Sequence, residues 1–346
     1  MSTLPAPAPA TAAVTAPSAP MNGNGPVLRV RDLALDFVSS DRRTSALGGV
    51  SLDVAPGEVV GLVGETGCGK TVTGLAILGL LPRSARITSG SVEFEGRDLL
   101  GLGEREMRAI RGARIAMVFQ NPATAFNPVF SIGTQIDLVL KAHGKLSRAG
   151  ADERIRSTLS AVGLPEHDRI LRAYPHQLSG GLLQRAMIAM ALVCRPALLI
   201  ADEPTTALDV TIAGQILRLL RRLQEERGFS VLFITHDLGV VRTVSDRVAV
   251  LYAGRVVEAA PTAELFRAPA HPYTRGLMAA VPRRSTRGAS LASIPGSVPG
   301  DAAALAGCAF ASRCPIAVDR CLVERPDLRA VAAGHRAACL LAEASS

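Results

Sequence analysis

The run Gly64-Glu65-Thr66-Gly67-Cys68-Gly69-Lys70-Thr71 fits the pattern G-x-x-x-x-G-K-[ST]. Its residue types point to phosphate chemistry. The glycines allow backbone N–H groups to close around phosphate oxygens, where a side chain would block the approach. Lys70 brings a charge to β- and γ-phosphates, and the Thr71 hydroxyl is a ligand for Mg²⁺. Cys68 is not needed for such a cradle and places an oxidation-sensitive thiol within it. Further along stand the adjacent carboxylates Asp202 and Glu203. Asp202 is placed to hold Mg²⁺, directly or through water, and Glu203 to orient and polarise an attacking water. Gln120 and His236 follow apolar runs, the first facing a ligand crevice and the second placed to touch a γ-phosphate. Ser179-Gly180-Gly181 is a second anion site by the same physics, with an N-capping serine and open N–H groups at a helix start. Together these residues describe phosphoryl transfer from a nucleotide to water.

The elements that must position them read as an alternating α/β chain. The apolar run Glu58 to Val63 precedes the glycine loop as a buried strand, and Val72 to Leu78 follows it as a helix. The runs Ala113 to Gln120, Ala197 to Pro204 and Ser230 to Thr235 are further buried strands. Each carries its polar residue at the C-terminal end, where ligands sit in an α/β sheet. Pro122 and Pro128 break the chain after Gln120, and 132–172 reads as an all-helical insertion. Ahead of the loop, Val27–Val30, Leu33–Phe37 and Gly49–Val54 alternate as strands of an antiparallel sheet, with a polar loop over Ser39–Ser45. Phe37, at a strand end, is either core or a platform for a nucleotide base. Arg247–Tyr252, a turn at Ala253-Gly254 and Arg255–Glu258 close the sheet.

Composition narrows the partners. The 346 residues are 48% hydrophobic, enough for one large or two ordinary domains. Aromatics make up 3% with no Trp, a poor basis for stacking nucleic-acid bases. The net charge of +8 is carried almost wholly by arginine and is scattered, as on an ordinary solvated surface. No secretory signal and no membrane span are expected. Six cysteines beside a phosphate loop fit a reducing cytosol better than a disulfide framework. Met1 to Gly25 is rich in Ala, Pro, Thr and Ser and reads as a disordered tail. Pro282 to Gly288 reads as a basic linker. Beyond it, Cys308, Cys314, Cys321 and Cys339 offer a tetrathiolate site for iron–sulfur or zinc, or are free thiols packed in a small subdomain. They include no C-x-x-C pair, so a zinc ribbon matches poorly. Cys194 reads as a small buried hydrophobe.

Taken in order over Val27 to Glu258, the set resembles the nucleotide-binding subunit of an ABC transporter. The matching residues are the Walker A loop (Gly64 to Thr71), Gln120 of the Q-loop and the Leu178-Ser179-Gly180-Gly181 ABC motif. They continue with Asp202 and Glu203 of Walker B, Asp209 of the D-loop and His236 of the H-loop. Phe37 matches the family's adenine-stacking aromatic. Phe119-Gln120-Asn121-Pro122, Phe126-Asn127-Pro128-Val129, Tyr174-Pro175-His176, Pro204 to Thr211 and His271-Pro272-Tyr273-Thr274 look like the oligopeptide/dipeptide/nickel importer subfamily. One departure is Leu183, where the family commonly has a basic residue.

The resemblance implies an α/β P-loop NTPase fold: a RecA-like core, an antiparallel β subdomain and an all-helical subdomain at about 121–185. The ATPase domain spans 26–260, and a small cysteine-bearing extension spans 261–346. It implies ATP contacts by Phe37, Gly64 to Thr71, Ser179, Gly180, Gly181 and Asp209, and Mg²⁺ held by Thr71, Gln120 and Asp202. Catalysis falls to Glu203, His236 and Gln120. A 4Fe–4S cluster on Cys308, Cys314, Cys321 and Cys339 is known in some members. Expected partners are a second, different ATPase subunit, two permease subunits and an extracytoplasmic substrate-binding protein, with no nucleic acid. The expected place is the cytoplasmic face of the bacterial membrane, and the expected work is the energising of peptide import. In the family, each ATP lies between the phosphate loop of one subunit and the ABC motif of the other. The alternative is a soluble ABC-type ATPase acting on nucleic acid or ribosomes. Such proteins usually carry coiled-coil or zinc-bearing insertions or two cassettes, and neither is found here.

Overall fold

The computed structural model describes residues 25–40, 42–144, 146–281, 294–298 and 305–342. The expected tail before Gly25 and the expected linker Pro282 to Gly288 lie outside the described residues.

An antiparallel sheet is built from β1 (Leu28–Val38), β2 (Arg43–Val54), β4 (Ala85–Phe94) and β5 (Arg97–Asp98), in the order β2-β1-β4-β5. The two runs expected before Phe37 form one strand. Its register breaks between Val30 and Leu33, where Asp32 takes a φ of 45°. The larger sheet contains β3 (Val59–Val63), β6 (Ile115–Val118), β7 (Leu198–Asp202), β8 (Ser230–Thr235), β9 (Arg247–Tyr252), β10 (Arg255–Pro261), β11 (Arg329–Ala332) and β12 (His335–Ala337). Its order is β11-β12-β10-β9-β3-β8-β7-β6. From β9 to β6 all neighbours are parallel.

These central strands are apolar throughout because both faces are covered. Every residue of β3, β7 and β8 is buried. Successive side chains alternate between two cores. Leu199, Ala201, Val231 and Phe233 join the core shared with the helical region. Leu198, Ile200, Leu232 and Ile234 join the core beneath the antiparallel sheet and α1 (Lys70–Ile77).

The helical insertion lies between β6 and β7, after α2 (Glu104–Ile110). It comprises α3 (Pro122–Ala125), α4 (Ile132–His143), α5 (Arg148–Ala161), α6 (His167–Arg172) and α7 (Gly180–Leu192). Ser131, Ser147 and Ser179 cap α4, α5 and α7 by accepting from backbone N–H groups of the first turn. Leu183 is 6% exposed within this helical core, so burial accounts for a hydrophobic residue at that position. Next come α8 (Val210–Arg227), capped by Asp209, and α9 (Leu238–Val244).

The C-terminal region joins the main sheet. It holds α10 (Thr262–Arg267), α11 (Pro272–Ala280) and α12 (Asp319–Val323), and its strands β12 and β11 continue the main sheet beyond β10. Glu258, fully buried on β10, anchors that junction. Its carboxylate accepts from the backbone N–H of Ala270 (2.6 Å) and of His271 (2.9 Å), and meets His335 Nε2 at 2.7 Å. A buried carboxylate with three partners is tolerated, whereas a bare one is not.

Candidate functional site

The parallel strands bring the expected residues to one edge. Gly64 follows β3, Gln120 lies just past β6, Asp202 ends β7 with Glu203 next, and His236 follows β8. Backbone geometry around the loop requires glycine. A Cβ on Gly64 would lie 2.1 Å from the Leu251 carbonyl oxygen. Gly69 has a φ of 107°, and a Cβ there would lie 2.6 Å from Leu47 Cδ2. Lys70 is 5% exposed, and its ammonium donates to the carbonyls of Gly64 (2.8 Å) and Glu65 (3.0 Å). Cys68 is 1% exposed, and burial pushes its thiol up. A protonated, enclosed thiol reacts poorly, so the oxidation sensitivity expected for Cys68 is not supported.

Thr71 Oγ1 donates to Asp202 Oδ1 at 3.1 Å. Burial raises Asp202, partly opposed by that hydrogen bond. A hydroxyl and a carboxylate are hard oxygen donors of the kind Mg²⁺ takes. Gln120 points elsewhere, donating from Nε2 to Glu203 Oε2 at 3.0 Å.

Glu203 is the hub of the cluster. Its φ of 46° is left-handed, a strained conformation for a non-glycine residue. Its N–H donates to the Ile234 carbonyl at 2.8 Å, which ties the strained residue to β8. The carboxylate meets His236 Nδ1 at 2.9 Å and accepts from Thr206 Oγ1 at 2.8 Å. Burial alone would raise Glu203, but the bonds from His236 and Thr206, with the charges of His236 and Lys70, hold it below the ordinary glutamate range. Thr206 escaped the sequence reading, although its place three residues after Glu203 in a turn was the available signal.

Other expected residues lie apart. Ser179 and Gly180 are exposed at the start of α7, and Asp209 caps α8 through Oδ1 and Ile212 N at 3.0 Å. Among the described residues, no hydrogen bond joins Ser179, Gly180, Gly181 or Asp209 to 64–71. Phe37 is half-buried against the core beneath the antiparallel sheet and pairs with Thr44 on β2. That strand continues to Ala46 and Leu47, which border Gly69.

Cys308, Cys314, Cys321 and Cys339 do converge on one pocket, together with His271 and Phe310. Among the described residues, however, no three His, Cys, Asp or Glu side chains are set to hold a metal ion. Burial pushes the Cys308 and Cys314 thiols up. The expected 4Fe–4S cluster on these four residues is therefore not supported among the described residues.

The same architecture occurs in solved structures. The dimeric post-hydrolysis ATP-binding cassette MJ0796, bound to ADP and Pi, superposes with a TM-score of 0.61 at 30% identity, over 68% of this chain and 98% of that one. The family model "ABC transporter" matches residues 47–206, and "Oligopeptide/dipeptide transporter, C-terminal region" matches 257–321. A probable peptide ABC transporter ATP-binding protein of Sinorhizobium fredii is 53% identical over 90% of this chain and 94% of its own length. This chain belongs to the ATP-binding subunits of ABC transporters. The dipeptide transport ATP-binding protein DppD of Bacillus subtilis is 49% identical over 84% of this chain and 87% of its own. As a member of this family, the chain is an ATPase whose hydrolysis is coupled to transport. Among the described residues, no helix is long and apolar enough to cross a membrane.

Proposed function

We propose that this chain hydrolyses ATP to energise import of peptides through partner permease subunits at the cytoplasmic face of the bacterial membrane. The observation that carries the peptide cargo is the match of 257–321 to the peptide-transporter C-terminal region, on a chain in which Gln120 and His236 both bond to Glu203. No observation favours the nucleic-acid or ribosome alternative.

The chemistry is positioning and electrostatics, without a covalent enzyme intermediate. Backbone N–H groups of 64–71 and the Lys70 ammonium receive the phosphates. Thr71 and Asp202 would hold Mg²⁺, which neutralises charge on the β- and γ-oxygens when bound. Glu203, kept ionised by His236 and Thr206, orients water and accepts its proton. Gln120 and His236 both bond to the Glu203 carboxylate, so they hold that base in place. Phe37 takes the adenine. Ser179, Gly180, Gly181 and Asp209 act on the nucleotide of a second, different ATPase subunit, consistent with the exposure of the α7 start.

Exposed Phe119 (37%), Val129 (69%), Phe130 (45%) and Tyr174 (40%) flank the Gln120 loop and the helical region. They offer an apolar face for the two permease subunits, which receive cargo from an extracytoplasmic binding protein. The test is uptake of a labelled dipeptide and a labelled oligopeptide by cells lacking this chain, complemented with wild type or Glu203→Gln. Wild type should restore uptake of at least one and Glu203→Gln neither. Unimpaired uptake of both peptides in cells lacking the chain refutes the peptide cargo.

A further inference from the structure

The C-terminal region reaches into the phosphate loop at one residue. Tyr273 of α11 accepts a hydrogen bond from Glu65 N at its hydroxyl, at 2.8 Å. Arg313 forms a two-pronged pair with the Glu65 carboxylate, Nη1 to Oε2 at 2.8 Å and Nη2 to Oε1 at 3.0 Å. The guanidinium is itself fixed. Its Nε donates to the Pro295 carbonyl at 2.9 Å, and its central carbon lies 5.8 Å from the Tyr252 ring centroid and 6.0 Å from that of Phe310. On the far side of Glu65, its carbonyl accepts from Lys70 Nζ. One loop residue thus carries three constraints, two from the C-terminal region and one from the lysine of the loop.

We propose that Arg313 is a positioning residue for the nucleotide site: it sets Glu65, and through Glu65 the loop and the Lys70 ammonium. The proposal rests on reading 64–71 as the phosphate site. Bidentate pairing fixes orientation as well as distance, which a point charge does not.

The pair is asymmetric, and that gives the test its sign. The Arg313 side chain is 5% exposed and that of Glu65 is 27%. Loss of Arg313 leaves the Glu65 carboxylate without its paired guanidinium, on the loop where a polyphosphate must bind. Loss of the carboxylate as well removes that repulsion. A second substitution therefore repairs part of the first, an outcome that simple loss of packing does not give.

The experiment titrates Mg-ADP into the full-length chain by calorimetry, with ATP hydrolysis kinetics and thermal melts in parallel. Arg313→Gln should weaken ADP binding about five- to tenfold, in the range of ordinary coupling between sites. The KM for ATP should rise by more than kcat falls, because the loss is in ground-state binding. The double variant Glu65→Gln/Arg313→Gln should bind ADP more tightly than Arg313→Gln but more weakly than wild type, because the repulsion is gone while the orienting fork is not restored. Added salt should shrink the Arg313→Gln defect by screening the exposed carboxylate. A lower melting temperature with unchanged ADP affinity overturns the proposal, and so does a double variant weaker than Arg313→Gln. Should Arg313→Gln fail to fold, Arg313→Lys carries the test. It keeps the charge but loses the fork, so it should weaken ADP binding about two- to threefold, and an unchanged affinity overturns the proposal. Lys70→Ala separates the two levels of inference. If it binds ADP like wild type, the reading of the loop itself fails.

Discussion

Replacing Glu203 by Gln separates its chemistry from its place in the fold. Oε2 accepts from Gln120 Nε2 at 3.0 Å and Thr206 Oγ1 at 2.8 Å, while Oε1 faces His236 Nδ1 at 2.9 Å. A glutamine whose amide oxygen takes the Oε2 position keeps the first two bonds. Its amide nitrogen then faces Nδ1, which accepts when the imidazole proton is on Nε2. The stability cost is that of one hydrogen bond at most, about 0.5–1.5 kcal/mol. The cost to hydrolysis is much larger, because an amide cannot take a proton from the attacking water, and general-base loss amounts to about 10²–10⁴-fold. The assay is phosphate release from Mg-ATP in the assembled transporter, beside ATP binding and a thermal melt of the same variant. Binding and melting should stay near wild type while turnover collapses. Turnover within about tenfold of wild type, with binding intact, would refute the general-base role. In wild type the acid limb of activity should lie below the ordinary glutamate range, since the hydrogen bonds and nearby charges that oppose burial keep the carboxylate ionised there.

Three further outcomes follow from the same geometry. His271 is 1% exposed, and burial, with Arg275 nearby, lowers it from 6.5 to about 4. The unfolded chain therefore binds the extra proton. The stability His271 confers is present above about pH 6.5 and is lost as pH falls toward about 4, by up to about 1.4 kcal/mol per pH unit. Urea midpoints of His271→Asn should show a flatter dependence over that window, and an unaltered slope would exclude His271 as the source. Gly64→Ala puts a Cβ 2.1 Å from the Leu251 carbonyl oxygen and 2.8 Å from Cys68 Sγ, so it should lower the melting temperature as well as nucleotide binding. Such overpacking costs about 1–3 kcal/mol or more, and a variant that melts like wild type contradicts the close approach. Alkylation followed by peptide mass spectrometry should find Cys68 labelled more slowly than Cys339 in the native chain, because Cys68 is the more enclosed thiol. Equal rates would mean that the loop opens in solution.

The convergence around Glu203 is legible because each of these residues follows an apolar run, and a parallel sheet gathers such strand ends at one edge. Gln120, Asp202, Glu203 and His236 are brought together without any one of them recognising another in sequence. What stayed hidden is what tertiary packing imposes. The left-handed backbone at Glu203 has no local signature, since nothing in Asp-Glu-Pro demands it, and it persists because Glu203 N is bonded across to Ile234. The pairing of the C-terminal strands with the main sheet stayed hidden for a related reason. Motif spacing does not report sheet pairing, and β12 pairs with β10 across a long separation. The Glu65–Arg313 pair is the extreme case, with partners 248 residues apart. Neither residue stands out where it occurs: an acid within a glycine loop, and an arginine between two cysteines. Their meeting depends on Glu258 and His335 fastening the C-terminal strands to the sheet, and on Tyr252, Tyr273 and Phe310 forming the aromatic floor on which Arg313 lies. A substitution at Glu258 should therefore reach the phosphate loop by way of Arg313, although Glu258 touches neither residue of the pair.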